Sequence, residues 1–363
     1  MVRKKNEKGI VKGLSMLNPL IFVLFFWGCS DNFEQTLIQS KEKTIIFYVV
    51  ADNSLINYSD TLFCNIQDYC TGNTLQNSNI IVFLDNCVET SLYQTTNTGL
   101  QKVTEYDKIN SVSPQNMQNI LHYIYEKYPA QETGLILWSH GTGWLPTGNK
   151  TRSFGDDNGE AIDIDDLSTS ICKKLDYIIF DACYMGCVEV ITELSDKADY
   201  FITSPDIVPP EGVIDTLSIN ILVGKDPLED RLKSVCEHYT KEKYDKENPP
   251  IALVKSSELD NLIQLCSKMS IIDFNEEVYC YRYRTNDIFY DLGSFLNSID
   301  NNQSLDIIDN FIVFHTDCKP GIVCLSIFLP NENNRHYHEY YSIAKWNIMT
   351  NWLCKFGYNE SFF

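Results

Sequence analysis

His140 and Cys183 are the two side chains of this sequence whose types and settings suit a shared reaction. His140 stands in "WSHGTGW" at the end of one apolar run, and Cys183 in "FDACYMG" at the end of the next. Histidine changes charge near neutral pH. A thiol becomes an effective nucleophile when a partner lowers its pKa or supplies a proton to the leaving group. Gly141 offers a backbone N–H uncrowded by a side chain, as an oxyanion donor requires. Cys183 also precedes a predicted helix, whose N-terminal dipole favours a thiolate. Plainer alternatives stay open on spacing alone. A free cysteine is among the most buried residue types, and a lone histidine is more often structural than catalytic. An esterase reading of "HGTGW" as an oxyanion loop lacks its G-x-S-x-G nucleophile elbow, which occurs nowhere in the chain.

A common cleft for the two groups requires neighbouring strands. From Thr44 onward, apolar runs alternate with helical patterns, the signature of an α/β fold with a parallel sheet. Strands are expected at 44–53, 79–86, 133–144 running into a loop, 175–186 and 199–212, each nearly continuous in apolar character as in strands covered on both faces. Adjacent parallel strands lie about 4.8 Å apart, so the loops at their carboxyl ends can serve one substrate bond. Met117, Ile120, Leu121 and Ile124 predict a helix over 113–128, and another follows the 175–186 run to about Asp196. Further strands are expected at 249–255 and 321–330, with a closing helix that carries Trp346, Ile348, Met349 and Trp352. The stretch 146–166, rich in glycine and aspartate, reads as an exposed loop. It falls short of an EF-hand, because Ala161 takes the place of the required glycine when Asp156 is first. Calcium is thus weakly supported, and no cofactor is expected.

The N-terminus reads as an export signal. Arg3, Lys4, Lys5, Lys8 and Lys12 precede the apolar run 20–27, far short of the roughly 20 residues that span a bilayer. Gly28 before Cys29 resembles a bacterial lipoprotein lipobox, although Phe26 and Trp27 are bulkier than usual there. The resemblance implies cleavage after residue 28, lipidation of Cys29 and a lipid-anchored place in the cell envelope. Residues 29–43 read as a polar tether and 44–358 as one domain. The formal net charge of −20 argues against a nucleic-acid surface. Of the 13 cysteines, most read as buried thiols, since a core of this size needs no staples and no pairing of cysteines suits zinc.

His-Gly-x-Gly-Trp at 140–144, with Asp-Ala-Cys-x-Met at 181–185 and Glu189 after it, resembles the clostripain (C11) family of cysteine peptidases. "ADNSL" (51–55), "FYDLGSFL" (289–296) and "GIVCLSIFLP" extend the likeness over most of the chain. The resemblance implies a caspase-like three-layer α/β/α sandwich with a mostly parallel central sheet and extra C-terminal helices and strands. It implies an endopeptidase acting on peptide or protein substrates. Cys183 would be the nucleophile, His140 the group that polarises the carbonyl and protonates the leaving amine, and the N–H groups of Gly141 and Cys183 the oxyanion hole. Asp181 matches the family's acidic S1 residue, which suits an Arg or Lys at P1; the alternative is a cap on the following turn. Alignment forward from Cys183 puts Glu211 at the second acidic position of that pocket. Here the sequence departs from the family, with "SPDIVPPEGV" where glycines and an acid are usual. Family enzymes are commonly cut after the catalytic histidine, which makes Lys150 and Arg152 self-processing candidates. Two other readings remain: a catalytically silent binding lipoprotein with the same fold, and a thiol hydrolase of small amides or esters.

Overall fold

The computed structural model describes residues 39–73, 75–146, 153–242, 249–270, 272, 277–283, 286–299 and 304–358. The five apolar runs nearest the reactive residues form the parallel centre of a sheet: β1 (Lys41–Ala51), β2 (Ser78–Asn86), β5 (Ala130–Trp138), β8 (Leu175–Asp181) and β9 (Ala198–Thr203). Antiparallel strands extend both edges. These are β3 (Thr90–Thr96) and β4 (Gly99–Tyr106) beside β2, and β10 (Ala252–Lys255) and β13 (Ile312–His315) beside β9. The spatial order is β13-β10-β9-β8-β5-β1-β2-β3-β4.

Alternation along the strands splits the core into two layers. Ile46, Tyr48 and Val50 of β1 face one side with Phe83, Leu137 and Phe180, under helices α2 (Pro114–Lys127), α3 (Ile164–Ser170) and α4 (Val188–Glu193). Ile45, Phe47 and Val49 face the other side with Val82, Trp138 and Ile179, under α1 (Ile56–Gly72), α5 (Thr216–Val223) and α6 (Leu228–Glu242). With both faces covered, every β1 residue from Ile45 to Ala51 is at most 1% exposed. This is the expected three-layer α/β/α sandwich.

Several elements depart from the sequence reading. β1 begins at Lys41, so 41–43 belong to the sheet rather than to the tether. The β3–β4 hairpin was not anticipated. Its strands are mostly polar on either side of a turn closed by Gly99 (φ +111°), a pattern of weaker hydrophobic contrast than the central strands. The run 321–330 contributes only β14 (Ser326–Ile327), which joins β11 (Cys280–Tyr283) and β12 (Asn286–Asp291) in a separate small sheet. Its burial comes from side-chain packing, not from the main ladder. The closing helix breaks at Asn351 (φ +56°) into Lys345–Thr350 and Trp352–Lys355, with both tryptophans buried but Ile348 and Met349 exposed. Among the twelve described cysteines, all free thiols, five are buried; Cys64, Cys87 and Cys172 are exposed.

The stretch 146–166 is not simply an exposed loop. Ser153–Asp157 are buried, and β6 (Phe154–Asp157) pairs with β7 (Glu160–Ile162) in a hairpin against the sheet's carboxyl end. Phe154 packs in the core near Phe180, and that one aromatic draws its polar neighbours under cover. Lys150 and Arg152 lie outside the described residues, as do Cys29 and the whole of 1–38.

Candidate active site

β5 and β8 lie side by side with Trp138 opposite Asp181 in the register. His140 and Cys183 are each two residues beyond that last pair, so both leave the sheet at the same level. The chain runs from β1 to β2 on one side and then crosses to β5 on the other, which makes the β1/β5 crevice a topological switch point. The loop after β1 enters that crevice. Ser54 places its hydroxyl 3.1 Å from His140 Nε2, and Leu55, His140, Asp181 and Cys183 line one cavity of about 210 Å³ closed by Val208–Pro210.

The backbone around His140 is fixed by the β6–β7 hairpin. Gly155 N–H donates to the His140 carbonyl at 2.8 Å and Thr142 N–H to Ser153 O at 3.2 Å. Gly141 between them is needed for a close approach, since a Cβ there would lie 2.6 Å from the carbonyl oxygen of Cys183 and 3.1 Å from Met185 Sδ. The two motifs therefore touch. Tyr184 takes a positive φ of 59°, uncommon for a bulky residue, and turns the chain sharply after Cys183. Its N–H donates to Asp206 O at 3.0 Å and its ring stacks on Phe289, contacts that offset the strain.

Cys183 is half-buried, with its thiol 3.7 Å from the Val208 carbonyl. Burial pushes the thiol up to about 11; a backbone contact at Val208 opposes the rise, and the Asp181 and Asp206 charges add to it. This corrects the helix-dipole expectation. The helix that follows starts only at Val188 and has six residues, with Cys187 at its N-cap position, so Cys183 lies four positions before that cap. At neutral pH the Cys183 side chain is therefore a thiol, not a preformed thiolate.

The model of the clostripain family, Peptidase C11, matches residues 47–356. The chain belongs to the clostripain family. It is therefore a C11 cysteine peptidase by descent as well as by fold. A secreted C11 cysteine protease from Bacteroides thetaiotaomicron, solved in complex with an irreversible peptide inhibitor, is 25% identical at a TM-score of 0.75, covering 86% of this chain and 99% of that one. An inactive zymogen C11 protease from Parabacteroides distasonis is 23% identical at a TM-score of 0.73, with the same coverage. No curated protein matches the sequence.

The remaining candidate residues of this clostripain-family chain divide by position. Asp181 is 3% exposed and lines the cavity, while its carboxylate accepts from Val213 N–H at 2.8 Å and Ile214 N–H at 3.3 Å. Gly212 (φ +74°) makes room for it, because a Cβ there would meet Asp181 Oδ2 at 2.5 Å. Asp181 thus ties the loop after β9 to the strand that ends in the Cys183 motif. Glu211 is exposed and is not among the residues that line the cavity. Ser54 went unread in the sequence, since nothing in a spacing of 86 positions links it to His140.

A second cavity of about 220 Å³ lies behind the motifs, where Trp144 and Glu189 meet Tyr340 and Lys345. Glu189 Oε1 accepts from Phe328 N–H at 2.9 Å and Tyr341 OH at 2.8 Å. Burial lifts its carboxyl to about 7, against the opposing pull of these hydrogen bonds. Trp144 packs edge-on against Phe328 and Tyr341.

Proposed function

We propose that this clostripain-family peptidase is an exported cysteine endopeptidase that works through a Cys183–His140 dyad and cleaves after Arg or Lys. The observation that carries this reading is the single cavity shared by the imidazole and the thiol at the carboxyl ends of adjacent parallel strands. Cys183 Sγ bonds to the scissile carbonyl carbon, and the thiol proton passes to His140 as that bond forms, since a thiol with so high a pKa keeps its proton until attack. The carbonyl oxygen takes up the negative charge against the N–H groups of Gly141 and Cys183. His140 then protonates the leaving amine as the C–N bond breaks. Water then attacks the thioester carbon and gives one proton to His140; as the C–S bond breaks His140 returns that proton to sulfur, and the carboxylic acid product carries away the other. Ser54 steadies the ring through its contact with Nε2.

Basic P1 specificity rests on Asp181. Its carboxylate is buried and lines the cavity, and an enclosed carboxylate pairs well with the charged head of an arginine or lysine side chain. Glu211 sits on the exposed side of the same loop and would act as an outer charge. A P1 peptide library with wild type and Cys183→Ala tests the whole reading. Fastest turnover of Arg or Lys substrates by wild type alone is expected; faster cleavage after apolar residues would overturn the specificity. The secreted state of the B. thetaiotaomicron neighbour supports export. Anchoring through Cys29 predicts incorporation of a palmitate analogue that a Cys29→Ala variant loses. Processing at Lys150 or Arg152 predicts that wild type splits into two fragments while Cys183→Ala stays whole.

A further inference from the structure

Three aspartates from three separate elements converge on the ammonium of Lys108, which follows β4 in the sequence. Its Nζ lies 2.8 Å from Asp85 Oδ1 at the end of β2, 3.0 Å from Asp52 Oδ2 just after β1, and 3.5 Å from Asp157 Oδ1 in the β6–β7 hairpin. The side chains of Asp85 and Asp157 are 0% and 3% exposed, so little water screens them from each other. Thr90 and Ser111 fix their carboxylates further, at 2.6 Å each. An exposed ion pair contributes little. Removing the cation from buried carboxylates is different, because it leaves like charges facing one another without compensation.

The elements that Lys108 ties together are the ones that hold His140. Ser54, two residues after Asp52, contacts the imidazole, and Gly155, two residues before Asp157, bonds the His140 carbonyl. Asn53 Nδ2 donates to Asp156 O at 2.6 Å and Asn158 N–H to Asp52 O at 2.9 Å, so loop and hairpin move as one piece. Cys183 and the Val208–Pro210 wall belong to other loops. We propose that Lys108 is a positioning residue for the reaction, its ammonium clamping the Asp52–Ser54 loop, β2 and the hairpin so that the His140 imidazole is held over the Cys183 thiol. It touches no substrate. The proposal rests on the reading of His140 as the catalytic proton carrier. Burial disfavours the ammonium, but its hydrogen bonds to Asp85 and Asp52 outweigh that and raise its pKa, so it stays charged at any working pH.

The experiment compares Lys108→Ala, Lys108→Arg and the double variant Asp85→Asn/Lys108→Met, the last keeping the fold if the single variant loses it. Expected for Lys108→Ala is a kcat lower by about 10- to 100-fold, as for a slightly misplaced catalytic group. KM and the iodoacetamide alkylation of Cys183, followed by peptide mass spectrometry, should stay near wild type. Lys108→Arg should keep most of kcat. Because Lys108 is 48% exposed, ethylammonium or calcium chloride should reach the vacated position and restore kcat several-fold in Lys108→Ala, leaving wild type unchanged. A Lys108→Ala kcat within twofold of wild type, beside an inactive His140→Ala, overturns the clamp alone. So does a joint decline of kcat, KM and alkylation, in the single and double variants alike, that neither cation relieves. An active His140→Ala enzyme would bring down the dyad reading, and the clamp with it.

Discussion

The two cavities that flank the motif pair are alike in size, about 210 and 220 Å³, yet opposite in character. The first lies at the carboxyl ends of β1, β5 and β8 and presents a half-buried thiol, an imidazole and a carboxylate. The second lies under α4 and the C-terminal helices, where Trp144 and Glu189 are 1% and 3% exposed and each is packed against Phe328 and Tyr341. Trp144 follows His140 by four residues, and Glu189 follows Cys183 by six. Each motif therefore has a reactive head in one cavity and an anchoring tail in the other. Volume does not mark the chemistry. The strand ends do, because there the backbone leaves the sheet and exposes side chains without breaking the ladder.

That contrast can be broken or sharpened by experiment. The largest effect is expected at the reactive head: Cys183→Ala should lower peptide hydrolysis by at least about 1,000-fold, and residual turnover within tenfold of wild type would refute a nucleophilic role. His140→Ala should cost about 100- to 10,000-fold, measured as kcat on the same fluorogenic peptide. The thiol itself yields a pH signature. With its pKa raised by burial to about 11, it is neutral below that value, so its alkylation rate should climb tenfold per pH unit through pH 9; a plateau reached by pH 8 would mean a preformed ion pair instead. Asp181→Asn should reduce kcat/KM for an Arg substrate about 10- to 100-fold and that for an apolar substrate far less; equal losses on both would leave Asp181 only its loop-tying role.

The smallest effect is expected at the anchoring tail. Glu189 has its folded pKa raised, to about 7, above the ordinary 4.5. Between those values the folded state holds the proton that the unfolded state has released, so stability falls as pH rises from about 4.5 to about 7 and is then constant. Glu189→Gln removes this term. Its melting temperature relative to wild type should therefore rise by a few degrees across that window, with kcat little changed. A difference that stays flat with pH would show that Glu189 is ionised throughout.

Legibility followed hydrophobic contrast. The central strands are apolar on both faces and were readable as runs, and so were the residues that end β5 and β8. The β3–β4 hairpin was hidden because most of its residues are polar and its few apolar ones, Leu92, Leu100, Val103 and the tyrosines, form no clean alternation at the sheet's edge. Ser153–Asp157 was misread for a related reason. A stretch dominated by small and acidic residues is buried by Phe154 in the core and by contacts from distant segments, Asn53 after β1 bonding Asp156 and Ser111 before α2 bonding Asp157. The helix after the 175–186 run was foreseen, but the strand ends at Asp181, and Tyr184's left-handed turn, which holds Cys183 away from the helix start, left no mark in composition.

By itself the sequence determined the layered α/β class and the two motifs, because strand burial and loop chemistry are written in local runs of residues. It also placed His140 and Cys183 at the ends of consecutive parallel strands. Only the tertiary structure decided what surrounds them: Ser54 at the imidazole, Asp181 bound to the loop after β9, the raised pKa of the thiol, and the three aspartates gathered on Lys108. Each of these depends on groups dozens of positions apart being brought within a few ångströms. Burial and proximity of that kind are properties of the packed chain, and no local pattern encodes them.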